Sequence, residues 1–280
     1  MYQILKKRRL SSNVVLLVID APYVAKKAEP GQFIILRVDA EGERIPLTIS
    51  AYDREEGTIT IVVQEVGATT IKLGQMEEGD CLHDFVGPLG KASEFDDVKK
   101  VAVVGGGLGC AIALPQAQKL HDMGVDVDLI AGFRNTDAII LEEEMTGACT
   151  NLILMTDDGS NGHKGFVTDA LKAQIEAGTK YDLVIAIGPM IMMKFVCQTT
   201  KPYGIKTIVS MNTIMVDGTG MCGGCRLTVG GETKFACVDG PDFDGHLVDF
   251  DEAMRRSAIY KPQEQAAREH QCNLMKMEVK

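Results

Sequence analysis

Short apolar segments separated by turn residues occupy the first 97 residues of the chain. Each segment is rich in Val, Ile and Thr, is bounded by Gly, Pro or Asp, and lacks the periodicity of an amphipathic helix. The pattern therefore predicts β-strands at residues 13–22, 31–39, 44–53 and 57–66. A small antiparallel β-barrel over residues 1–97 is the expected fold, because closure of the sheet removes its exposed edges.

The pattern changes at residue 98, where apolar strands begin to alternate with helices. This alternation continues through residues 98–215 and predicts a doubly wound parallel sheet. Residues 216–245 break it with glycines and cysteines, and residues 246–280 form a predicted helical tail. The tail stretch DFDEAMRRSA places acidic residues before arginines, as a helix dipole prefers. The expected fold class is β plus α/β, with a small cysteine segment and a helical end.

Charge and hydropathy exclude several classes of partner. The chain has 280 residues and a net charge of −10, which disfavours binding to nucleic acid or to an anionic membrane. The apolar stretch near the start is interrupted by Asp20 and lacks a cleavage site typical of a secretory signal. The longest apolar run, residues 101–115, is too short and too rich in glycine to span a membrane. We therefore expect a cytoplasmic protein with no membrane partner.

A glycine-rich turn follows the first strand of the alternating region. The stretch VAVVGGGLG ends a strand and opens a helix, which is the place where a dinucleotide pyrophosphate binds to backbone amides. The candidate nucleotide residues are Gly105, Gly106, Gly107, Leu108 and Gly109. Because Cys110 takes the last glycine position of G-x-G-x-x-G, a turn that serves only packing is the alternative.

Two further strand ends favour the same nucleotide site. Asp157 and Asp158 follow the third strand, and carboxylates there would accept hydrogen bonds from ribose hydroxyls and repel a 2′-phosphate. This choice favours NAD(H) over NADP(H), although an Asp-Asp-Gly turn in solvent gives the same sequence. Gly188 and Pro189 follow the fourth strand and are expected to line the same cleft.

Three of the eight cysteines lie close together in the sequence. Cys222 and Cys225 have C-x-x-C spacing, and Cys237 follows twelve residues later. In a chain of this length without a secretory signal, such a cluster indicates a metal or redox site rather than a disulfide framework. Most metal sites need a fourth ligand, which these three cysteines do not supply.

The order of these parts resembles a known family. A β-barrel, a nucleotide domain with VVGGGLG and a cysteine-rich segment together resemble the electron-transfer subunit of class 1B dihydroorotate dehydrogenase, in the ferredoxin–NADP reductase superfamily. The stretch DGTGMCGGCR…FACVDGPDFDGHLVDFDEAMRR is more similar to a sibling family, the small subunit of NADH-dependent reduced ferredoxin:NADP⁺ oxidoreductase. The resemblance implies FAD, a [2Fe-2S] cluster and NAD(H) as cofactors.

The resemblance places FAD in the β-barrel. In RIPLTIS, the residues Pro46, Leu47 and Thr48 align with the flavin-binding Arg-Pro-x-Ser of the family, but Ile45 stands in the place of the arginine. Arg44 is one residue early, so it reaches the flavin pyrophosphate only if a bulge reverses its direction. In VVQEVGATT, the resemblance assigns Val62, Val63 and Gln64 to the isoalloxazine or ribityl chain, and Gly67, Thr69 and Thr70 to phosphate.

The resemblance also supplies the fourth metal ligand. The family binds [2Fe-2S] with C-x4-C-x2-C-x11-C, and the same spacing here gives Asp217, Cys222, Cys225 and Cys237. A carboxylate has the charge of a thiolate and suits ferric iron. Two alternatives stay open: Asp217 only forms a turn while Cys110 or Cys272 completes the site, or the metal is zinc.

The function implied is electron transfer within a complex. NAD(H) would exchange a hydride with FAD, and single electrons would pass through the cluster to a larger flavin and [4Fe-4S] subunit that uses ferredoxin and NADP(H), in flavin-based bifurcation. Residues 246–280 are the expected docking segment for that subunit. The alternatives are the electron-transfer subunit of dihydroorotate dehydrogenase, and a zinc-stabilised nucleotide-binding redox sensor without turnover.

Overall fold

The N-terminal part of the chain forms two antiparallel sheets. The computed structural model describes residues 2–278, with side chains up to residue 270. The elements are β1 (Tyr2–Ser11), β2 (Val14–Asp20), α1 (Pro22–Ala25), β3 (Phe33–Arg37), β4 (Ile45–Thr48), β5 (Ala51–Asp53), β6 (Thr58–Gln64), α2 (Ala68–Gln75), β7 (Cys81–Leu82) and β8 (Asp84–Leu89). One sheet has the order β5-β6-β2-β1-β7 and the other the order β4-β3-β8, so the predicted antiparallel β-domain is confirmed.

The chain crosses from one sheet to the other inside the segment 44–53. This segment is predicted as one strand but forms β4 and β5 in different sheets. The amide of Ile49 donates to the carbonyl of Gln32 beside β3, whereas the amide of Ser50 donates to Thr60 in β6. Hydrophobic alternation does not reveal this crossing, because both halves have the composition of a strand.

Alternating burial builds the core of the β-domain. In β2, Val15, Leu17 and Ile19 are fully buried, and in the paired β6, Ile59 and Ile61 are fully buried as well. Each such side chain contributes about 1.5–3 kcal/mol relative to exposure, which favours this register over one shifted by a residue.

Residues 100–210 form the predicted parallel sheet. The elements are β9 (Lys100–Gly106), α3 (Gly109–Asp122), β10 (Asp126–Phe133), α4 (Glu142–Gly147), β11 (Asn151–Thr156), α5 (Val167–Glu176), β12 (Leu183–Ile187), α6 (Met190–Thr200) and β13 (Lys206–Ser210). The strand order β11-β10-β9-β12-β13 begins in the middle of the sheet and winds to both sides, which confirms the doubly wound prediction.

The cysteine-rich segment follows the parallel sheet and is joined to it by strand pairing. Its elements are β14 (Arg226–Val229), β15 (Glu232–Phe235), α7 (Ala236–Asp239) and β16 (Asp242–Asp244), followed by α8 (Phe250–Ser257) and α9 (Lys261–Glu278). Strand β16 pairs antiparallel with β13 and so extends the parallel sheet by one strand. Most of the predicted tail is helical, because α8 and α9 occupy it apart from residues 246–249 and 258–260, and its last two residues, 279–280, lie outside the described range.

No helix in the described range 2–278 has the length and apolar character needed to cross a membrane.

A buried polar cluster joins three parts of the chain. Ser93, after β8, donates a hydrogen bond of 2.6 Å to the Asp242 carboxylate in β16. Gln116 in α3 donates to Ser93 at 2.8 Å and to Asp242 at 3.2 Å. Burial raises the pKa of Asp242, and the hydrogen bonds from these neighbours oppose that shift. The cluster links the β-domain, the parallel sheet and the cysteine-rich segment at one point.

A second polar network lies at the amino ends of the parallel strands. Asp128 is 3% exposed and accepts hydrogen bonds from Lys100 at 2.6 Å, Tyr181 at 2.6 Å and Asn151 at 2.8 Å. Burial alone would raise the pKa of Asp128, but these donors outweigh it and hold the pKa below its usual value. The ionised carboxylate therefore stabilises the fold, because it is the hydrogen-bond acceptor for these three polar side chains.

Replacing Asp128 by alanine is expected to lower the free energy of unfolding by about 3 kcal/mol, because Lys100 and Tyr181 lose a buried partner. Asp126, the more exposed carboxylate on Lys100, is the matched control, and its replacement should cost less than about 1 kcal/mol. Because the folded pKa of Asp128 lies below the unfolded value, its contribution persists above about pH 4 and is lost only as pH falls further. Urea unfolding at several pH values measures both; equal losses would contradict the assignment.

Candidate functional site

The glycine turn brings the start of α3 against the ends of two strands. Gly105 and Gly106 end β9, Leu108 precedes α3, and Gly109 begins it. Gly107 has φ +56°, a left-handed conformation that favours glycine. A Cβ placed on Gly109 would lie 2.3 Å from the carbonyl oxygen of Ile187 in β12, so only glycine fits there. The amide of Gly107 donates to the carbonyl of Gly132 at 2.8 Å, so the amides that the turn leaves for a phosphate are those at the start of α3.

Three of the other predicted nucleotide positions lie at the same edge. A Cβ on Gly188 would lie 3.2 Å from the amide nitrogen of Gly106, so the turns after β9 and β12 are neighbours, and Pro189 precedes α6. Asp157 follows β11, whose carboxyl end points the same way because β9, β10 and β11 are parallel. The structure thus brings the predicted nucleotide residues to one side of the sheet.

The two aspartates after β11 remain exposed carboxylates. The amide of Asp157 donates to the carbonyl of Phe133 at 3.0 Å, which fixes the loop against the end of β10. Asp158 accepts a hydrogen bond of 2.9 Å from the amide of Ser160, and this bond lowers the pKa of Asp158. A negative charge is therefore present at this end of the cleft at neutral pH.

The predicted flavin residues lie on β4, on β6 and at the start of α2. Pro46, Leu47 and Thr48 are half-buried in β4 and pair with β3. On β6, the side chains of Val62 and Val63 are buried in apolar cores, whereas Gln64 is only partly buried. These strands therefore offer backbone and half-buried side chains, but not the two valine side chains, to a ligand on the surface.

The start of α2 contacts the residues that precede β4. Gly67 precedes the helix, and the hydroxyl of Thr70 accepts from the Gly67 amide at 2.9 Å. The hydroxyl of Thr69 donates to the carboxylate of Glu43 at 2.8 Å, immediately before Arg44 in the sequence. Ser50, two residues after Thr48, has a buried hydroxyl without a hydrogen-bond partner in the described part of the chain. The buried hydroxyl is compatible with a ligand that supplies its missing hydrogen bond, and the amides at the start of α2 are compatible with a phosphate-containing ligand such as FAD.

Arg44 contacts the cysteine-rich segment. Its guanidinium donates to the carbonyl of Val216 at 3.2 Å and to that of Asp217 at 3.5 Å. We name residues 216–226 the cysteine loop. The expected contact of Arg44 with a flavin pyrophosphate stays a prediction, whereas its contact with the cysteine loop is direct.

Two of the predicted metal ligands form a close buried pair. Cys225 and Cys237 are each 2% exposed, and their sulfur atoms are 3.2 Å apart. Burial and the neighbouring Cys225 raise the pKa of Cys237 to about 12, so a bound cation would be needed to hold Cys237 as a thiolate. Two sulfurs on one tetrahedral metal lie about 3.8 Å apart at metal–sulfur distances near 2.3 Å, so a small shift lets both bind one iron.

The other two predicted ligands lie on the exposed arm of the cysteine loop. The Asp217 carboxylate accepts from the Thr219 amide at 2.9 Å, the Thr219 hydroxyl at 2.6 Å and the Met221 amide at 3.2 Å. All three bonds end on Oδ2, so Oδ1 has free acceptor capacity. Cys222 is exposed, and the amides of Gly224 and Asp217 lower the pKa of its thiol. Asp217 and Cys222 therefore form a second, more acidic pair of ligands.

The four predicted ligands are compatible with a cluster of two irons. Within the described residues, no three His, Cys, Asp or Glu side chains are placed to hold a single metal ion. A [2Fe-2S] cluster would take two protein ligands on each iron, and the two predicted pairs, Cys225 with Cys237 and Asp217 with Cys222, are available to it. Cys110, in the first turn of α3, is buried in a different hydrophobic core from Cys225 and Cys237, so it is not the fourth ligand. The side chain of Cys272 lies outside the described residues.

The cysteine loop packs directly on the three-stranded sheet β4-β3-β8. Gly218 has φ +81°, and a Cβ there would lie 2.7 Å from Cγ1 of Ile35 and 3.0 Å from Cδ1 of Leu89. Ile35 is the cross-strand partner of Pro46 in β4. The loop with the predicted iron ligands therefore touches the sheet with the predicted flavin residues.

Two arginines that the sequence does not single out also bind the cysteine loop. Arg226 donates to the carbonyl of Gly223 at 3.0 Å. Arg256 in α8 donates to the carbonyls of Arg226 at 3.1 Å and Gly224 at 3.3 Å. Arg226 could have been found from the sequence, because it directly follows Cys225 and is a basic residue in an acidic chain. The contact of Arg256 spans 30 residues, so no local sequence pattern reveals it. Both arginines line a cavity of about 340 Å³ that reaches Cys222.

Two protein-family models match separate parts of the chain. Residues 1–93 match the family model of the oxidoreductase FAD-binding domain. Residues 212–249 match that of the iron-sulfur cluster binding domain of dihydroorotate dehydrogenase B. The two matches contain the predicted flavin residues and the predicted iron ligands, respectively.

Three similar proteins match nearly the full length of the chain. A Clostridium beijerinckii protein, described as the uncharacterised protein in the adh 3′ region, is 55% identical over 94% of this chain and 92% of that protein. A Thermotoga maritima homologue of the dihydroorotate dehydrogenase B (NAD(+)) electron transfer subunit is 45% identical over 95% of this chain and 94% of that protein. A chain from the structure of NADH-dependent reduced ferredoxin-NADP oxidoreductase, solved for insight into flavin-based electron bifurcation, has a TM-score of 0.92 and 44% identity, with 96% of this chain and 97% of that chain covered.

Replacing Gly218 by alanine is expected to reduce the iron bound per chain by at least about half, because the new Cβ pushes the cysteine loop away from Ile35 and Leu89. Gly231 is the matched control: it has a similar φ of +83°, and no described atom lies within 4 Å of a Cβ placed there. Its alanine variant has the same backbone strain, about 1–2 kcal/mol, without the clash. Iron analysis of both purified variants compares them, and equal iron contents would refute the packing argument.

Proposed function

Because the chain belongs to the family of dihydroorotate dehydrogenase B electron-transfer subunits and their homologues, we propose that it carries electrons between NAD(H) and a partner subunit. It is an oxidoreductase subunit with an FAD-binding domain and an iron–sulfur binding domain. The proposed order of cofactors is NAD(H), FAD and a [2Fe-2S] cluster. The observation that supports this order best is the direct packing of Gly218 on Ile35 and Leu89, because it makes the cluster and flavin sites neighbours.

The chain supplies binding groups at each of the three sites. FAD, when bound, takes up a hydride from NADH and releases electrons one at a time to an iron–sulfur centre. The amides at the start of α3, after Gly107, bind the dinucleotide pyrophosphate, and Asp157 and Asp158 accept hydrogen bonds from ribose hydroxyls and repel a 2′-phosphate. Residues 46–48 and 62–64, with Gly67, Thr69 and Thr70, hold FAD at the start of α2. Asp217, Cys222, Cys225 and Cys237 would hold the cluster, which would supply one-electron transfer toward the partner subunit.

The proposed partner is a larger subunit that contains flavin and [4Fe-4S] clusters and uses ferredoxin and NADP(H), in flavin-based electron bifurcation. Support comes from the surface around Cys222, where the neighbouring Met221 is 87% exposed and Ile259 and Tyr260 are each more than half exposed. Exposed apolar side chains beside a redox centre are typical of a docking surface. Ile259 and Tyr260 belong to the tail 246–280, which we propose as the docking segment.

Isolation of the native complex distinguishes the two candidate assemblies. A partner with [4Fe-4S] clusters that reacts with NADP(H) and ferredoxin supports the bifurcating assembly. A partner that oxidises dihydroorotate would contradict it and would favour the second candidate assembly, dihydroorotate dehydrogenase B. The iron–sulfur family match at residues 212–249 supports this second candidate. A carboxylate ligand at Asp217 in place of the family's cysteine favours the first candidate.

Addition of NADH to the anaerobic protein should bleach the flavin absorbance and then give the EPR signal of a reduced [2Fe-2S] cluster. NADPH should act at least about tenfold more slowly, because repulsion of its 2′-phosphate by Asp157 and Asp158 need contribute only about 1.4 kcal/mol. The variant with alanine at both positions should have a lower ratio of the NADH rate to the NADPH rate. Asp122, at the far end of α3, is the control for loss of charge. A colourless zinc protein would refute the proposed function, and equal rates would refute the role of the two aspartates.

Replacing Asp217 by cysteine should preserve the cluster but change its EPR g-values and reduction potential, because the ligand set becomes four thiolates. The asparagine variant, which loses the negative charge, should bind less iron. EPR-monitored redox titration and iron analysis measure both effects. If the cysteine variant has the g-values and potential of the original protein, Asp217 is not a ligand.

A further inference from the structure

Three arginines bind the backbone carbonyls of the cysteine loop from different directions. Arg44 comes from the β-domain, Arg226 from the loop itself and Arg256 from α8. Together they contact the carbonyls of Val216, Asp217, Gly223, Gly224 and Arg226. The chain as a whole has a net charge of −10, so three guanidiniums on an eleven-residue loop form a local positive region against the general charge.

The carbonyls that the arginines contact flank predicted iron ligands. Arg44 binds the carbonyls of residues 216 and 217, on either side of the Asp217 Cα. Arg256 binds those of residues 224 and 226, so Cys225 lies between the two contacts. One ligand of each predicted iron is therefore held by a guanidinium that comes from another part of the fold.

Arg226 acts on the peptide that bonds to a ligand sulfur. Its guanidinium donates to the carbonyl of Gly223 at 3.0 Å, and the amide of Gly224 donates to the sulfur of Cys222 at 3.4 Å. This carbonyl and this amide belong to one trans peptide unit, in which they point in opposite directions. The guanidinium therefore polarises the peptide and strengthens the hydrogen bond to the sulfur.

Among the described residues, none of the three guanidiniums forms a salt bridge, although Arg44 is close enough to the Asp217 carboxylate to stabilise its charge. In the part of the chain with described side chains, none of the three guanidiniums lies within the 4.0 Å salt-bridge distance of a carboxylate. Arg44 and Arg256 are half-buried, and Arg226 is exposed. Solvent and salt screen partly buried charges less than exposed ones, so the field of the first two reaches the loop.

We propose that Arg44, Arg226 and Arg256 are positioning residues that raise the reduction potential of the iron–sulfur cluster. They engage carbonyl oxygens of the cysteine loop in hydrogen bonds, and their charges would stabilise the additional negative charge of the cluster's reduced state. Net charge and hydrogen bonds to the sulfurs are two main determinants of such potentials. The inference rests on the proposed function only in that the cluster is bound by Asp217, Cys222, Cys225 and Cys237.

The test is an EPR-monitored redox titration of the full-length chain, purified anaerobically, with and without Arg226→Gln. At the midpoint potential of the original protein, the reduced-to-oxidised ratio of the variant should fall about tenfold, which is 59 mV for a one-electron couple. Arg44→Gln and Arg256→Gln should shift the midpoint in the same direction. Arg255→Gln is the matched control, because Arg255 is an exposed neighbour on α8 that bonds no loop carbonyl among the described contacts; its ratio should change less than twofold.

A charge-conserving variant separates the electrostatic effect from loss of structure. Arg226→Lys retains the positive charge, so it should recover at least half of the shift in midpoint, and each midpoint is measured on the EPR-active fraction whatever the cluster content. If Arg226→Gln has the original midpoint, or if Arg255→Gln shifts it equally, the inference is wrong while the proposed function stands. If the original protein binds no iron–sulfur cluster, the proposed function fails and the inference fails with it.

Discussion

The contact of Gly218 with the three-stranded sheet determines how the rest of the cysteine loop is arranged. Its φ of +81° and the 2.7 Å approach of Ile35 exclude any side chain, so the loop lies directly on the β-domain. From this contact the Asp217 carbonyl reaches Arg44, and the Asp217 carboxylate folds back onto the amides of Thr219 and Met221. A backbone position without a side chain therefore places the first predicted iron ligand.

The loop is held equally firmly at its other end. After Cys225 the chain forms the hairpin β14-β15, returns to Cys237 and then pairs β16 with β13 of the parallel sheet. The same sheet presents the glycine turn and the two aspartates at its carboxyl edge. The cysteine-rich segment is thus a bridge between the two larger bodies, and its position follows from ordinary strand pairing on one side and from close backbone packing on the other.

The sequence predicts the parts of this arrangement that depend on local patterns. Alternation of apolar strands and helices predicts β9 to β13, and the family resemblance implies Asp217 with the three cysteines as the ligand set, which stays a prediction. It does not predict β16, because the segment Asp242–Asp244 has a single apolar residue and pairs with a strand more than thirty residues away. It does not predict α2 either, because β-branched residues and glycine weaken the helical pattern there. The contacts of Arg44 and Arg256 with the loop span 172 and 30 residues and depend wholly on tertiary structure.

The buried cluster of Ser93, Gln116 and Asp242 has a consequence for the speed of the proposed electron route. Hydrogen bonds of 2.6 to 3.2 Å tie the β-domain, the parallel sheet and the cysteine-rich segment together at one desolvated point. Electron tunnelling depends exponentially on the gap between donor and acceptor, so a rigid junction keeps that gap nearly constant. In the proposed route, transfer between the flavin and cluster sites would then need no hinge motion between the three parts that these hydrogen bonds join.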